Sequence, residues 1–146
     1  MATKIAVSVQ HAPQREFTAH AALSPGHLLE MNSDGEVLKH ATAAGECVRM
    51  FAKENELEGE TVDDAYAAGE AVQVIFPRAG DVVYARLANG QTVVKGDYLS
   101  SNGDGTLKLH TGSEKSSGIV GIALDAVDMS SSSGADPDGF IRVLVA

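Results

Sequence analysis

Five histidines, one cysteine and a run of carboxylates are the residues of this 146-residue chain that could carry chemistry. His11, His20, His27, His40 and His110 invite a metal site. None of them stands at the His-x-x-x-His spacing that puts two imidazoles on one helix face. Ordinary strand positions facing solvent account for them more simply. Glu54, Glu56, Glu58, Glu60, Asp63 and Asp64 crowd into residues 54–64 without a base among them. A catalytic carboxylate pair needs one member whose pKa is raised by burial. Carboxylates at this density with few apolar neighbours are expected to be solvated. Cys47 follows Glu46 and has no adjacent base to lower its pKa, so it reads as a small core residue. Asn102-Gly103-Asp104-Gly105 has the composition of a calcium loop, but the closing glutamate and flanking helices are missing. A hairpin turn explains it better. No Ser-x-x-Lys, Gly-x-Ser-x-Gly or phosphate-cradling Gly-x-x-x-x-Gly-Lys occurs. The chain is therefore read as non-enzymatic, with no cofactor and no metal.

The elements that would position such groups are strands. Glycine-containing turns recur every ten residues or so, separated by short runs of Val, Ile and Leu, which is the all-β pattern. Residues 71–76, 81–87 and 140–145 are the clearest runs. In the last, Ile141, Val143 and Val145 alternate with Phe140, Arg142 and Leu144, both sets largely apolar. That predicts a strand covered on both faces or closing a barrel.

A repeat organises the rest. Residues 23–40 align without gaps on residues 93–110. Gly26 matches Gly96, Leu29 matches Leu99, Asn32 matches Asn102, Asp34-Gly35 matches Asp104-Gly105, and His40 matches His110. Each copy reads as a turn, a strand, an Asp-Gly hairpin and a returning strand. An apolar strand follows each, at residues 47–51 and 119–124. The expectation is a small pseudo-symmetric β-barrel built on a shared structural template. Outside it lie an extended N-terminal arm over residues 1–16, with Ile5, Val7 and Val9 alternating before Phe17, and a polar serine loop at 130–139. Thr61 is placed to cap one short helix near residues 61–68, stopped by Gly69.

Charge narrows the partners. Twenty acidic residues against 11 basic give a net charge of −9, and residues 46–70 hold eight acids and two bases. Nucleic-acid binding needs clustered Lys and Arg, and stacking needs more than the 5% aromatic content found. No run approaches the roughly 18 apolar residues of a membrane helix. A single cysteine cannot close an internal disulfide. A soluble protein made in the cytoplasm, with no nucleic acid or membrane partner, is expected.

Residues 61–86, residues 94–107 and the run Val120-Gly-Ile-Ala-Leu-Asp-Ala-Val127 together resemble the capsid decoration, or cement, proteins of tailed bacteriophages. The resemblance covers roughly residues 17–146 and rests on turn residues and apolar strands. It implies a single β-rich decoration domain over 17–146, bound to the outer surface of an expanded head. It also implies a homo-oligomer, a trimer ahead of a dimer, that clamps neighbouring major capsid subunits. The N-terminal arm would add a strand to a capsid subunit, which makes Ile5, Val7, Val9 and Phe17 the capsid-contact candidates. The acidic stretch would face solvent or a basic capsid patch. Two other readings stand beside it. A biotinyl- or lipoyl-type carrier module shares the turn at Val94–Leu99 but needs a lysine at a hairpin tip, where Asp34-Gly35 and Asp104-Gly105 stand. A small enzyme with an intersubunit site would use His40 or His110.

Overall fold

Phe140–Val145, the apolar run at the C-terminus, is the centre of the fold. Ile141 and Val143 are fully buried, and the strand is flanked on both sides by other strands. The computed structural model of the chain describes residues 2–10, 12–130 and 139–146, and most of the serine loop lies outside them. In chain order the strands are β1 (Ala6–Ser8), β2 (Gln14–Thr18), β3 (Leu29–Met31), β4 (Val37–Lys39), β5 (Phe51–Ala52), β6 (Ala71–Ile75) and β7 (Val82–Arg86). They continue with β8 (Thr92–Val93), β9 (Tyr98–Ser101), β10 (Leu107–Leu109), β11 (Ile119–Ala123), β12 (Val127–Asp128) and β13 (Phe140–Val145).

The protein is all-β. A six-stranded antiparallel sheet runs β1-β7-β13-β11-β9-β10, and a three-stranded one runs β2-β6-β5. The β3–β4 hairpin and the β8–β12 pair complete it. These sheets stay open, so the expected barrel does not close. Two apolar clusters fill the interior. The larger gathers Ile5, Leu28, Phe51, Val83, Leu99, Leu107 and Ile141 from both halves of the chain. The smaller gathers Leu29, Val37, Tyr66, Val72 and Val74.

The repeat is real at the level of register. Leu29 faces Lys39 as Leu99 faces Leu109, and Met31 faces Val37 as Ser101 faces Leu107. His40 N–H donates to Leu28 O at 2.9 Å, and His110 N–H to Tyr98 O at 2.8 Å. Gly26 N–H reaches Ala52 O as Gly96 N–H reaches Ala123 O, both at 2.8 Å. These two glycines turn the chain at φ +90 and +92, where other residues are strained. Even the side-chain brace is shared. Ser24 N–H donates to His27 Nδ1 and Val94 N–H to Asp97 Oδ2, each at 2.9 Å. An imidazole and a carboxylate thus do one job at matched positions.

The expected helix near 61–68 is a turn. Asp64 Oδ2 accepts the Thr61 N–H at 2.8 Å, and Thr61 Oγ1 accepts the Asp63 N–H at 3.3 Å, so the capping contacts form. Tyr66 then prevents helical continuation by exchanging backbone hydrogen bonds with Leu23 at 2.7 and 3.1 Å. Its buried hydroxyl donates to Lys53 O at 2.6 Å, and burial pushes its pKa up to about 12. Tertiary pairing wins over the local cap. Among the described residues short 3₁₀ turns lie elsewhere, at Glu56–Glu58 and Ser116–Gly118.

Candidate interaction surface

The N-terminal residues belong to the sheets. β1 is one edge of the six-stranded sheet, paired to β7 with a register irregularity between Ala6 and Ser8. β2 is an edge of the three-stranded sheet, paired residue for residue with β6. Residues 6–8 and 14–18 therefore run along the domain as edge strands instead of standing away from it. The physical reason is Ile5, whose side chain is fully buried in the larger cluster. Its N–H donates to Glu54 Oε2 at 3.0 Å, and its carbonyl accepts from Tyr84 N–H at 2.8 Å.

The four contact candidates accordingly divide. Ile5 is a core strut and offers no surface. Val7 is 45% exposed on the edge strand, and Val9 is half-buried against the larger cluster. Phe17 packs against the smaller cluster, edge-to-face with Phe76 at 6.2 Å between ring centres. An edge strand presents unpaired N–H and C=O groups that another strand can use. What the arrangement can do is accept or donate a strand at β1 and β2.

Among the described residues the histidines do not converge. His20 pairs with Glu36 at 3.0 Å on the surface, and His11 lies outside the described residues. His40, expected to face solvent, is buried, and the His110 side chain, for which the same was expected, is largely covered. His40 Nε2–H donates to Glu46 O at 3.1 Å, and Nδ1 meets Ser101 Oγ at 2.8 Å. That fully bonded ring fastens the first hairpin to the second. Among the described residues no three His, Cys, Asp or Glu side chains converge on a metal position. Asp104 Oδ1 accepts the Thr106 N–H at 3.1 Å, closing the hairpin turn expected there. Cys47 is half-buried against the core, and burial raises its thiol pKa.

Two features carry chemistry that the sequence hid. A cavity of about 270 Å³ opens between the first-repeat turn and the second hairpin tip, lined by His27, Arg86, Asn102, Asp104 and Thr106 among others. Arg86 Nε donates to Pro25 O at 2.7 Å and Nη2 to Val62 O at 3.1 Å, with the guanidinium 4.5 Å from the centre of the Phe140 ring. Burial, then Arg86 and Lys39, lower the His27 pKa to about 3. The second feature is Glu54, which corrects the picture of a wholly solvated acidic run. Its carboxylate is buried, with Oε2 on the Ile5 amide and Oε1 without a partner. The alternation of Glu54, Glu56, Glu58 and Glu60 shows which residues share a face, not which one turns inward. Arg86 was legible only as a charge ending an apolar strand.

No family model matches the chain, and no curated protein matches it in sequence. Its fold is similar to the crystal structure of head fiber gp8.5 N base in bacteriophage phi29. The TM-score is 0.59 with 14% sequence identity, over 92% of this chain and 94% of that one. At that identity the likeness is one of fold.

Proposed function

We propose that the chain is a structural protein of a tailed-phage virion, which binds the outer surface of the expanded capsid and clamps neighbouring major capsid subunits. The observation that carries this reading is the fold likeness to a head fiber base along nearly the whole of both chains. The resemblance of residues 17–146 to decoration proteins points to the same location, the outside of a phage head. The acidic surface is compatible with a place away from packaged DNA. Work is done by binding linkage: a protein that holds only the expanded lattice stabilises it by mass action, and symmetric copies add avidity. In this reading the protein is a homo-oligomer and performs no catalysis. The capsid-facing elements are the β1 and β2 edges, with Val7 and the half-buried Val9 and Phe17 as contacts.

The test is co-sedimentation of the purified full-length chain with expanded heads and, separately, with unexpanded proheads. Saturable pelleting with expanded heads alone is the expected result. Absence of pelleting with either particle overturns the proposal.

A further inference from the structure

In the first repeat the base of the hairpin is covered by the tip of the second. Leu28 N–H donates to Gly105 O at 2.8 Å, and Gly105 N–H donates to His40 O at 3.1 Å. Ser101 Oγ sits 2.8 Å from His40 Nδ1. A Cβ on Gly105 would meet the Lys39 side chain at 2.9 Å, so this tip is closely seated.

Seventy residues on, the matching base consists of Tyr98 for Leu28, Leu109 for Lys39 and His110 for His40. The matching tip has Met31 for Ser101 and Gly35 for Gly105. Among the described residues no contact joins this second base to this second tip, and the Gly35 N–H is held instead by Asn32 O at 3.1 Å within its own turn. Where Leu28 is buried, Tyr98 is 52% exposed, and Leu109 is 36% exposed beside it. The His110 side chain is only 7% exposed, yet its Nδ1 makes no hydrogen bond, and the Glu114 carboxylate stays 3.8 Å away. On the tip, Met31 is 46% exposed, and nothing lies within 4 Å of a Cβ built on Gly35.

We infer that the Tyr98–His110 base of one copy receives the Met31–Gly35 tip of a second copy, repeating between chains the contact that joins the two hairpins within one. An exposed Tyr, Leu and Met around a buried unpartnered nitrogen are the residue types that interfaces use. Met31, at the position of Ser101, packs on the exposed Tyr98 and Leu109 beside the buried His110. One pair opposes the contact. Asp104 lies near His27, whereas the matching Asp34 meets Asp97, a like charge at the His27 position. Association therefore tightens as salt screens that pair. The contact joins two different surfaces, so it closes a ring or runs on as a filament.

This inference deepens the homo-oligomer part of the proposed function and does not depend on the capsid. Two Cys47→Ser chains are prepared, one with Met31→Cys and one with His110→Cys, then mixed under mild oxidation. A disulfide-linked dimer in the mixture, and little in either chain alone, is expected. Tyr98→Lys alters an exposed side chain, so it tests the interface even if His110→Cys does not fold. It should weaken self-association of the otherwise native chain at least about tenfold in sedimentation velocity. Any of three results overturns the interface: a native chain that stays monomeric at about 100 µM, a Tyr98→Lys chain that associates normally, or equal cross-linking in each single-cysteine chain. Intact self-association without pelleting on heads removes the capsid reading alone.

Discussion

His40 Nδ1 lies 2.8 Å from Ser101 Oγ, and this contact between residues sixty-one apart links the two hairpins. Ser101 Oγ in turn accepts the Gly103 N–H at 3.1 Å, so the imidazole also steadies the turn of the second hairpin. Removing the ring leaves the half-buried Glu46 carbonyl and the buried Ser101 hydroxyl without their partner. His40→Ala should therefore cost about 2–4 kcal/mol and Ser101→Ala about 1 kcal/mol. Urea denaturation of both singles and the double measures the coupling. Strict additivity would show that the contact contributes nothing as a pair.

His27 predicts a pH dependence. Its pKa falls from the ordinary 6.5 to about 3, chiefly through burial and then through Arg86 and Lys39. Between these values the unfolded chain binds a proton that the folded chain refuses. Its contribution is thus complete above about pH 6.5 and is lost as pH falls toward 3, a span on the order of 3–5 kcal/mol. His27→Asn keeps an acceptor for the Ser24 N–H, as Asp97 does for Val94. The variant should flatten the stability curve between pH 3 and 6.5. An unchanged slope would assign the acid sensitivity to other groups.

Much of the architecture was legible because it is local. Alternating apolar residues placed β6, β7, β11 and β13, and the matched Gly-x-x-Leu and Asp-Gly positions gave the two hairpins and their common register. What was not legible depends on residues far apart in sequence. Tyr66 pairs with Leu23 and thereby cancels a helix that Thr61 and Asp64 are otherwise set to start. Glu54 turns inward to meet the Ile5 amide, which no count of acidic neighbours reveals. The alternation of Ile5, Val7 and Val9 announced a strand correctly, but could not say whether its partner lay in the same chain. Val83 and Val82 supply it. His40 and His110 stand at equivalent positions of the repeat, while the burial of His40 follows from how the second hairpin stacks on the first.

Gly121 stands where β11 and β13 leave no room for a side chain. A Cβ there would stand 2.4 Å from the Leu144 carbonyl oxygen and 2.6 Å from Val143 Cγ1. Neither can withdraw without moving β13 from its central place. Gly121→Ala should cost about 3 kcal/mol or more by overpacking. Gly112→Ala, with nothing within 4 Å of the added carbon, is the matched control and should fall within about 0.5 kcal/mol of the native chain. Chemical denaturation of the pair reads the difference, and equal midpoints would mean that the strands yield at no cost.

Ile5, just before the first strand, and Val7 within it separate stability from binding. Ile5→Ala empties part of the larger core and should cost about 2–5 kcal/mol, whether or not capsid is present. Val7 points its exposed side chain away from that core, so Val7→Asp should change stability by about 0.5 kcal/mol or less. On expanded heads the order reverses. If the β1 edge is the docking strand, a carboxylate at position 7 meets the capsid directly, and pelleting should weaken at least about tenfold. Below its unfolding midpoint, Ile5→Ala should pellet like the native chain. Co-sedimentation beside denaturation for both variants decides the matter. Native-like pelleting of Val7→Asp would move the docking surface off β1, leaving the β2 edge beside Phe17 as the strand that meets the head.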